Sequence, residues 1–219
     1  MRINDAGALL IKNIEMFEMA TELLESEVTA SILNGVAEAV KNEVDIQADW
    51  FGLFSCLDGG EIWFGPKTWK PISGEDWVAW YSMDWLGKED AFLVSGICGQ
   101  GKSKVGFKFN INTDMLGSEV TKKTWKNFST EILVEVADLR EAGFTYYEED
   151  GTWFLQFQID PEELSEFYKR NCIAKAMVPV ESALRRLFDV HYVFVKIVEK
   201  AKKRFRVSRT VNNASGLSA

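Results

Sequence analysis

The chain has 219 residues, 47% hydrophobic and 26% charged, an ordinary globular composition with enough length to bury a core unaided by disulfides or metals. The net charge of −8 is uneven: from Val190 onward seven Lys and Arg stand against Glu199, a local +6, so residues 1–189 carry −14. A single histidine, three scattered cysteines without a C-x-x-C, and no apolar run near the roughly 20 residues of a membrane helix exclude His/Cys metal clusters, a disulfide framework and a spanning segment.

Residues 5–43 read as helix. Leu10, Ile14, Phe17, Thr21, Leu24 and Val28 recur at alternating spacings of four and three, with Glu15, Glu18, Glu22 and Glu25 off that stripe. Asn4 or Asp5 supplies a cap, and "ESEVTAS" at 25–31 is where the helix would divide. The apolar patch between Asp5 and Glu15 is too short for a secretory signal, which argues for a cytoplasmic protein. Cys56, Cys98 and Cys172 then read as free thiols in a reducing compartment.

From Trp50 to Asn112 the pattern changes to strand. "WFGLFSCL", the turn signal "DGG", and "EIWFG" predict a hairpin. After a loop with Pro66 and Pro71, "WVAWYSMDW" places Trp77, Ala79, Tyr81, Met83 and Trp85 on one face. "AFLVSGIC" is apolar on both faces, as a central strand would be, and "KVGFKFNIN" alternates with Val105, Phe107, Phe109 and Ile111 inward. These five runs predict a meander.

Residues 118–142 read as a helix with Ser118 as cap and Gly143 as stop. "FTYYEEDGTWFLQFQI" predicts a second hairpin turning at Asp150-Gly151, with Trp153, Leu155, Phe157 and Ile159 inward. Asp160, Pro161, Glu162 and Glu163 form a helix start. Pro179 separates that helix from a last one, along which Val180, Leu184, Leu187, His191, Phe194, Val198, Ala201 and Phe205 keep the four-three rhythm. The expected architecture is α+β: a mostly antiparallel sheet, a five-stranded meander plus a hairpin, covered by N-terminal and C-terminal helices. Residues 1–206 form one domain and 207–219 a polar, flexible tail.

One motif asks for nucleotide. "GICGQGKS" fits G-x-x-x-x-G-K-[ST] through Gly96, Gly101, Lys102 and Ser103. A phosphate loop needs a strand before it and a helix starting at the Lys, so that backbone N–H groups and the helix dipole meet the phosphates. "KSKVGFKFNIN" alternates with period two and reads as a strand, which makes "GQGK" a turn with a solvated Lys102. Other chemistries lack their parts. His191 lies on an apolar stripe, no G-x-S-x-G occurs, and the E-x-K or D-x-K triplet of restriction-type nuclease cores is absent. No catalytic residue, metal or cofactor is expected.

Binding has more to draw on. Trp50, Trp63, Trp69, Trp77, Trp80 and Trp85 fall within 36 positions, and aromatics are enriched at protein interfaces. Trp69 in "GPKTWKP" and Trp80, beside Ser82 and Asp84, are the expected exposed members. Lys200, Lys202, Lys203, Arg204 and Arg206 form a basic end suited to an acidic protein surface or to phosphates. The function expected is a non-enzymatic cytoplasmic protein, a regulator, inhibitor or immunity-type protein, acting through protein–protein contacts away from membranes. The alternatives are an NTPase at Gly96–Ser103 and nucleic-acid binding through the basic C-terminal helix. The two helical stripes would pair with each other over the sheet or across a homodimer interface.

Overall fold

The computed structural model describes residues 3–55, 61–70, 76–87, 93–117 and 120–214, with side chains from Asn4 to Phe205. Cys56, the "DGG" turn, Pro71, Ser118 and the last five residues of the tail lie outside the described residues.

The N-terminal helix is three: α1 (Ile3–Lys12), α2 (Ile14–Leu23) and α3 (Thr29–Asp45). The Asn13 amide donates to the Leu9 carbonyl at 2.9 Å where α1 stops. Between α2 and α3 the chain takes a π-turn at Leu24–Val28. The hydroxyls of Ser26 and Thr29 donate to the Glu22 and Leu24 carbonyls there, competing with the backbone ladder and widening the turn. This is the division that "ESEVTAS" predicts. Beyond it the burial changes: α3 buries Ile32, Val36, Val40 and Val44, whereas α2 buries nothing.

Six strands form one antiparallel sheet in the order β1-β2-β3-β4-β6-β5: β1 (Trp50–Phe54), β2 (Ile62–Pro66), β3 (Ala79–Gly87), β4 (Ser103–Ile111), β5 (Phe144–Tyr147) and β6 (Thr152–Gln156). The α+β class and its antiparallel sheet stand, but among the described residues the meander has four strands, not five. The apolar run at 91–98 contains a short helix, α4 (Leu93–Ile97), which fully buries Ile97 and passes into Gly99 at φ +65°. The β5–β6 hairpin turns through Gly151 at φ +64°, as Asp150-Gly151 predicts, and lays β6 on β4.

The helix expected over 118–142 is also subdivided. After α5 (Thr113–Leu116) come α6 (Lys122–Glu131), a 3₁₀ turn at Ile132–Glu135 and α7 (Ala137–Glu141). Thr121 caps α6, accepting the Thr124 N–H at 3.2 Å, and Gly143 follows α7 at φ +93°. In α8 (Pro161–Lys169) the Asp160 carboxylate accepts from the N–H groups of Glu162 and Glu163 at 2.9 and 3.0 Å, the cap read from the sequence. A 3₁₀ turn (Ile173–Met177) leads into α9 (Val178–Asp189), with Pro179 inside its first turn, where a missing N–H costs nothing. The expected continuous last helix breaks at Val190, and α10 (His191–Ala214) begins a new axis.

One face of the sheet carries Phe64, Tyr81, Phe107, Phe109 and Leu155, all essentially inaccessible. Residues of α3, α9 and α10, among them Val36, Val40, Leu184, Leu187, Phe194 and Val198, join them in one core. Phe194 is a hub, with ring centroids 4.7 Å from Phe109, 5.1 Å from Phe144, 5.4 Å from Tyr81 and 6.2 Å from Trp153. Burial of each such aromatic side chain contributes about 2–3 kcal/mol.

Candidate binding surfaces

The opposite face of the sheet follows from register. Leu53 pairs Trp63, Trp63 pairs Ser82, Ser82 pairs Lys108, and Lys108 pairs Phe154, so these side chains form one row across the sheet. The row beside it contains Phe51, Gly65, Trp80 and Asn110. The centre of the face is polar and internally satisfied: Asn110 donates to the Ser82 hydroxyl at 2.8 Å, and Lys108 meets Asp84 at 3.0 Å. Toward β1 and β2 it becomes aromatic, with Phe51 and Leu53 52% and 48% exposed.

Trp77 completes that aromatic end. It precedes β3, and its neighbour Val78 is pinned on both sides: Val78 N–H donates to the Trp69 carbonyl at 2.9 Å and the Val78 carbonyl accepts from Asn112 N–H at 2.8 Å. Trp77 reaches over Gly65, where a Cβ would lie 3.2 Å from the indole ring. It meets Trp63 edge to face, with centroids 5.4 Å apart and planes at 70°. The result is a cleft of about 260 Å³ lined by Glu61, Trp63, Asp76, Trp77, Trp80 and Asn112. Glu61 and Asp76 are exposed and have no ion-pair partner among the described residues. Beside it, where β3 runs on past its pairing with β2, a second depression of about 440 Å³ shares Glu61 and Trp80 and reaches Trp85.

The second surface is the N-terminal arm. Leu9, Leu10, Ile11, Ile14, Met16, Met19 and Leu23 stand 45–77% exposed. Of the stripe read from the sequence, which is helical throughout apart from the π-turn, only Leu10 and Ile14 are among these; Phe17, Leu24 and Val28 are partly buried. The stripe does not pair with the C-terminal stripe over the sheet; it is α3, beyond the π-turn, that packs on α9.

The residues singled out in the sequence divide accordingly. Trp80 is half-buried and lines both depressions. Trp69 is not exposed: its indole lies in the core against Tyr81, Phe109 and His191, because the turn Lys67–Trp69 folds it under the sheet edge. The basic end is largely engaged within the chain. Lys200 pairs Glu135, Arg204 pairs Glu131, and Lys202 pairs Glu199 at 3.1 Å. The Arg204 hydrogen bond holds the Glu131 carboxyl below its ordinary range, and the guanidinium lies over the Phe128 ring. Lys203 is exposed, and Arg206 belongs to the backbone of α10 with its side chain outside the described residues.

Gly96, Gly101, Lys102 and Ser103 are arranged in reverse of a phosphate loop. A helix, α4, precedes the turn, and at Ser103 a strand, β4, begins where the loop needs a helix N-terminus. Three groups, Cys98, His191 and Tyr81, are shifted toward their uncharged forms. Burial and the nearby Asp160 raise the Cys98 thiol, burial lowers His191 to about 4, and burial raises the Tyr81 phenol well above its ordinary value. Among the described residues no three His, Cys, Asp or Glu are grouped to hold a metal ion, and no helix is long and apolar enough to cross a membrane.

The chain matches no protein-family model, no curated protein and no solved structure.

Sequence reasoning missed Phe51, Leu53 and the Trp77 wall. A signal existed for the first two: in "WFGLF" the small Gly52 shares a face with Trp50 and Phe54, leaving Phe51 and Leu53 on the other.

Proposed function

We propose that this protein is non-enzymatic and acts by binding a protein partner, as a regulator, inhibitor or immunity-type protein does. The observation that carries the reading is the arm, where seven large apolar side chains are exposed on α1 and α2. Apolar patches of that extent on soluble proteins mark interaction sites. Glu15, Glu18, Glu22 and Glu25 flank the stripe, the last three sharing a depression with Ile14, Phe17 and Thr21, and are set against Lys12 alone, so the partner that fits is an apolar surface with a basic rim. Two arms laid together would set like charges side by side. A homodimer is therefore better served by an arm against the basic α10 of a second copy.

The test compares the full chain with Ile11→Ser/Ile14→Ser/Met19→Ser in sedimentation velocity and in capture from a cytoplasmic extract at moderate salt. The expected result is one defined partner, or a dimer, present with the wild type and lost with the variant. Equal association by both proteins, association with neither, or recovery of salt-labile nucleic acid alone overturns the reading.

A further inference from the structure

The cleft between β2 and β3 lies apart from the arm and has its own chemistry. Among the described residues its lining combines three indoles, two carboxylates and one amide. Trp63 and Trp77 stand at 70° to each other, which makes a corner and not a flat platform. Phe51 stacks on Trp77 at 6.4 Å and meets Trp63 at 6.0 Å, bracing the corner, and the indole surface left toward the cleft attracts a cation lodged beside it. Trp80 contributes the third indole, held in place by the pairing of β3 with β4 through Asn110. Glu61 and Asp76 are exposed beside the indoles, and Lys108 on the same sheet face is tied to Asp84 at 3.0 Å. The volume of about 260 Å³ suits a guanidinium or ammonium group with part of its alkyl stem.

We propose that the Trp63–Trp77–Trp80 cleft is a receptor for a side-chain cation, an Arg guanidinium or Lys ammonium presented by a basic segment of a partner protein. The proposal extends the protein-binding reading, which rests on the arm. It names the partner's chemistry at a second contact. A sugar would need a broad flat indole platform, and Trp63 and Trp77 meet at 70°. Charge complementarity agrees: residues 1–189 carry −14.

The experiment uses the full chain labelled with ¹⁵N, observing the eight indole N–H signals while titrating an arginine-containing hexapeptide, the same peptide with citrulline for arginine, and a linear glucose oligosaccharide. The arginine peptide is expected to shift the Trp63, Trp77 and Trp80 signals saturably, and the citrulline peptide and the sugar to leave them in place. Glu61→Gln and Asp76→Asn, both exposed and harmless to folding, should each weaken the arginine peptide about three- to tenfold. Trp80→Leu, with its fold verified by the remaining indole signals, should abolish the shifts. Equal shifts with the citrulline peptide, shifts with the sugar, or arginine-peptide binding that moves none of these three signals overturns the proposal. Because the arm variant does not touch the cleft, loss of partner capture in that variant alongside a silent cleft would refute the cation site and leave the arm reading intact.

Discussion

The Tyr81 hydroxyl lies 2.9 Å from Nδ1 of His191, across 110 positions of sequence, and that contact joins the centre of β3 to the first residue of α10. The imidazole is enclosed by the rings of Trp50 at 4.7 Å and Trp69 at 4.9 Å. The one histidine of the chain is thus a polar peg in an aromatic core.

Its titration gives a pH prediction. Burial lowers His191 from 6.5 to about 4, so between those values the unfolded chain binds a proton that the folded chain does not. Stability therefore rises with pH through this window and falls as pH drops from about 6.5 to about 4, by up to about 3 kcal/mol from this group. Urea midpoints measured from pH 4 to 7 should show the slope, and His191→Phe should flatten it. An unchanged slope in that variant would assign the effect to the carboxylates.

Phe194→Ala should be among the most damaging single changes. The side chain is fully buried and touches four other rings. The loss should be about 3–5 kcal/mol, read as a lowered urea midpoint at constant m. A loss under about 1 kcal/mol would mean that α10 is not anchored on the sheet as described.

The arm should behave oppositely. Ile11 is 77% exposed and Met19 65%, so changing either to Ser should alter folding stability by no more than about 0.5 kcal/mol. A loss of several kcal/mol in the isolated protein would show that the arm packs on its own domain in solution.

How much of this was legible depended on whether a local pattern has a unique burial solution. β4 was legible because Val105, Phe107 and Phe109 alternate with polar residues, and that alternation suits only a strand with one wet face. The Asp160 cap was legible because its hydrogen bonds are local. "AFLVSGIC" was not, since an apolar run of eight fits a buried strand or a buried helical turn equally. Trp69 was misplaced because its partners lie on β3, β4 and α10, far away in sequence. Of the candidate cleft, Trp80 was legible from its polar strand neighbours. Trp77 was not, because Ala79, Tyr81 and Met83 continue its alternation inward while the chain before Ala79 leaves the strand. The N-terminal stripe was legible as amphipathic, but periodicity says that a face is apolar and not what covers it.

Nucleotide should not recognise Gly96–Ser103. With β4 starting at Ser103, no helix dipole points at a phosphate there. Millimolar Mg-ATP should leave the melting temperature unchanged for both the wild type and Lys102→Ala. A stabilisation of several degrees that disappears in the variant would restore the phosphate loop.

The basic C-terminal helix should bind nucleic acid weakly until its internal partners are removed. Lys200 and Arg204 are paired with Glu135 and Glu131, which belong to the 3₁₀ turn after α6 and to the end of α6. Neutralising both carboxylates in Glu131→Gln/Glu135→Gln releases two cations without touching the core, since all four side chains are about half exposed. Exposed pairs contribute little to stability, so the fold should survive. Affinity for a short DNA duplex, weak in the wild type, should rise, and the slope of log K against log salt should steepen by about two, one for each further phosphate neutralised. An unchanged slope would show that these side chains point away from any bound nucleic acid, and a steep slope already in the wild type would show that the pairs exchange freely for phosphate.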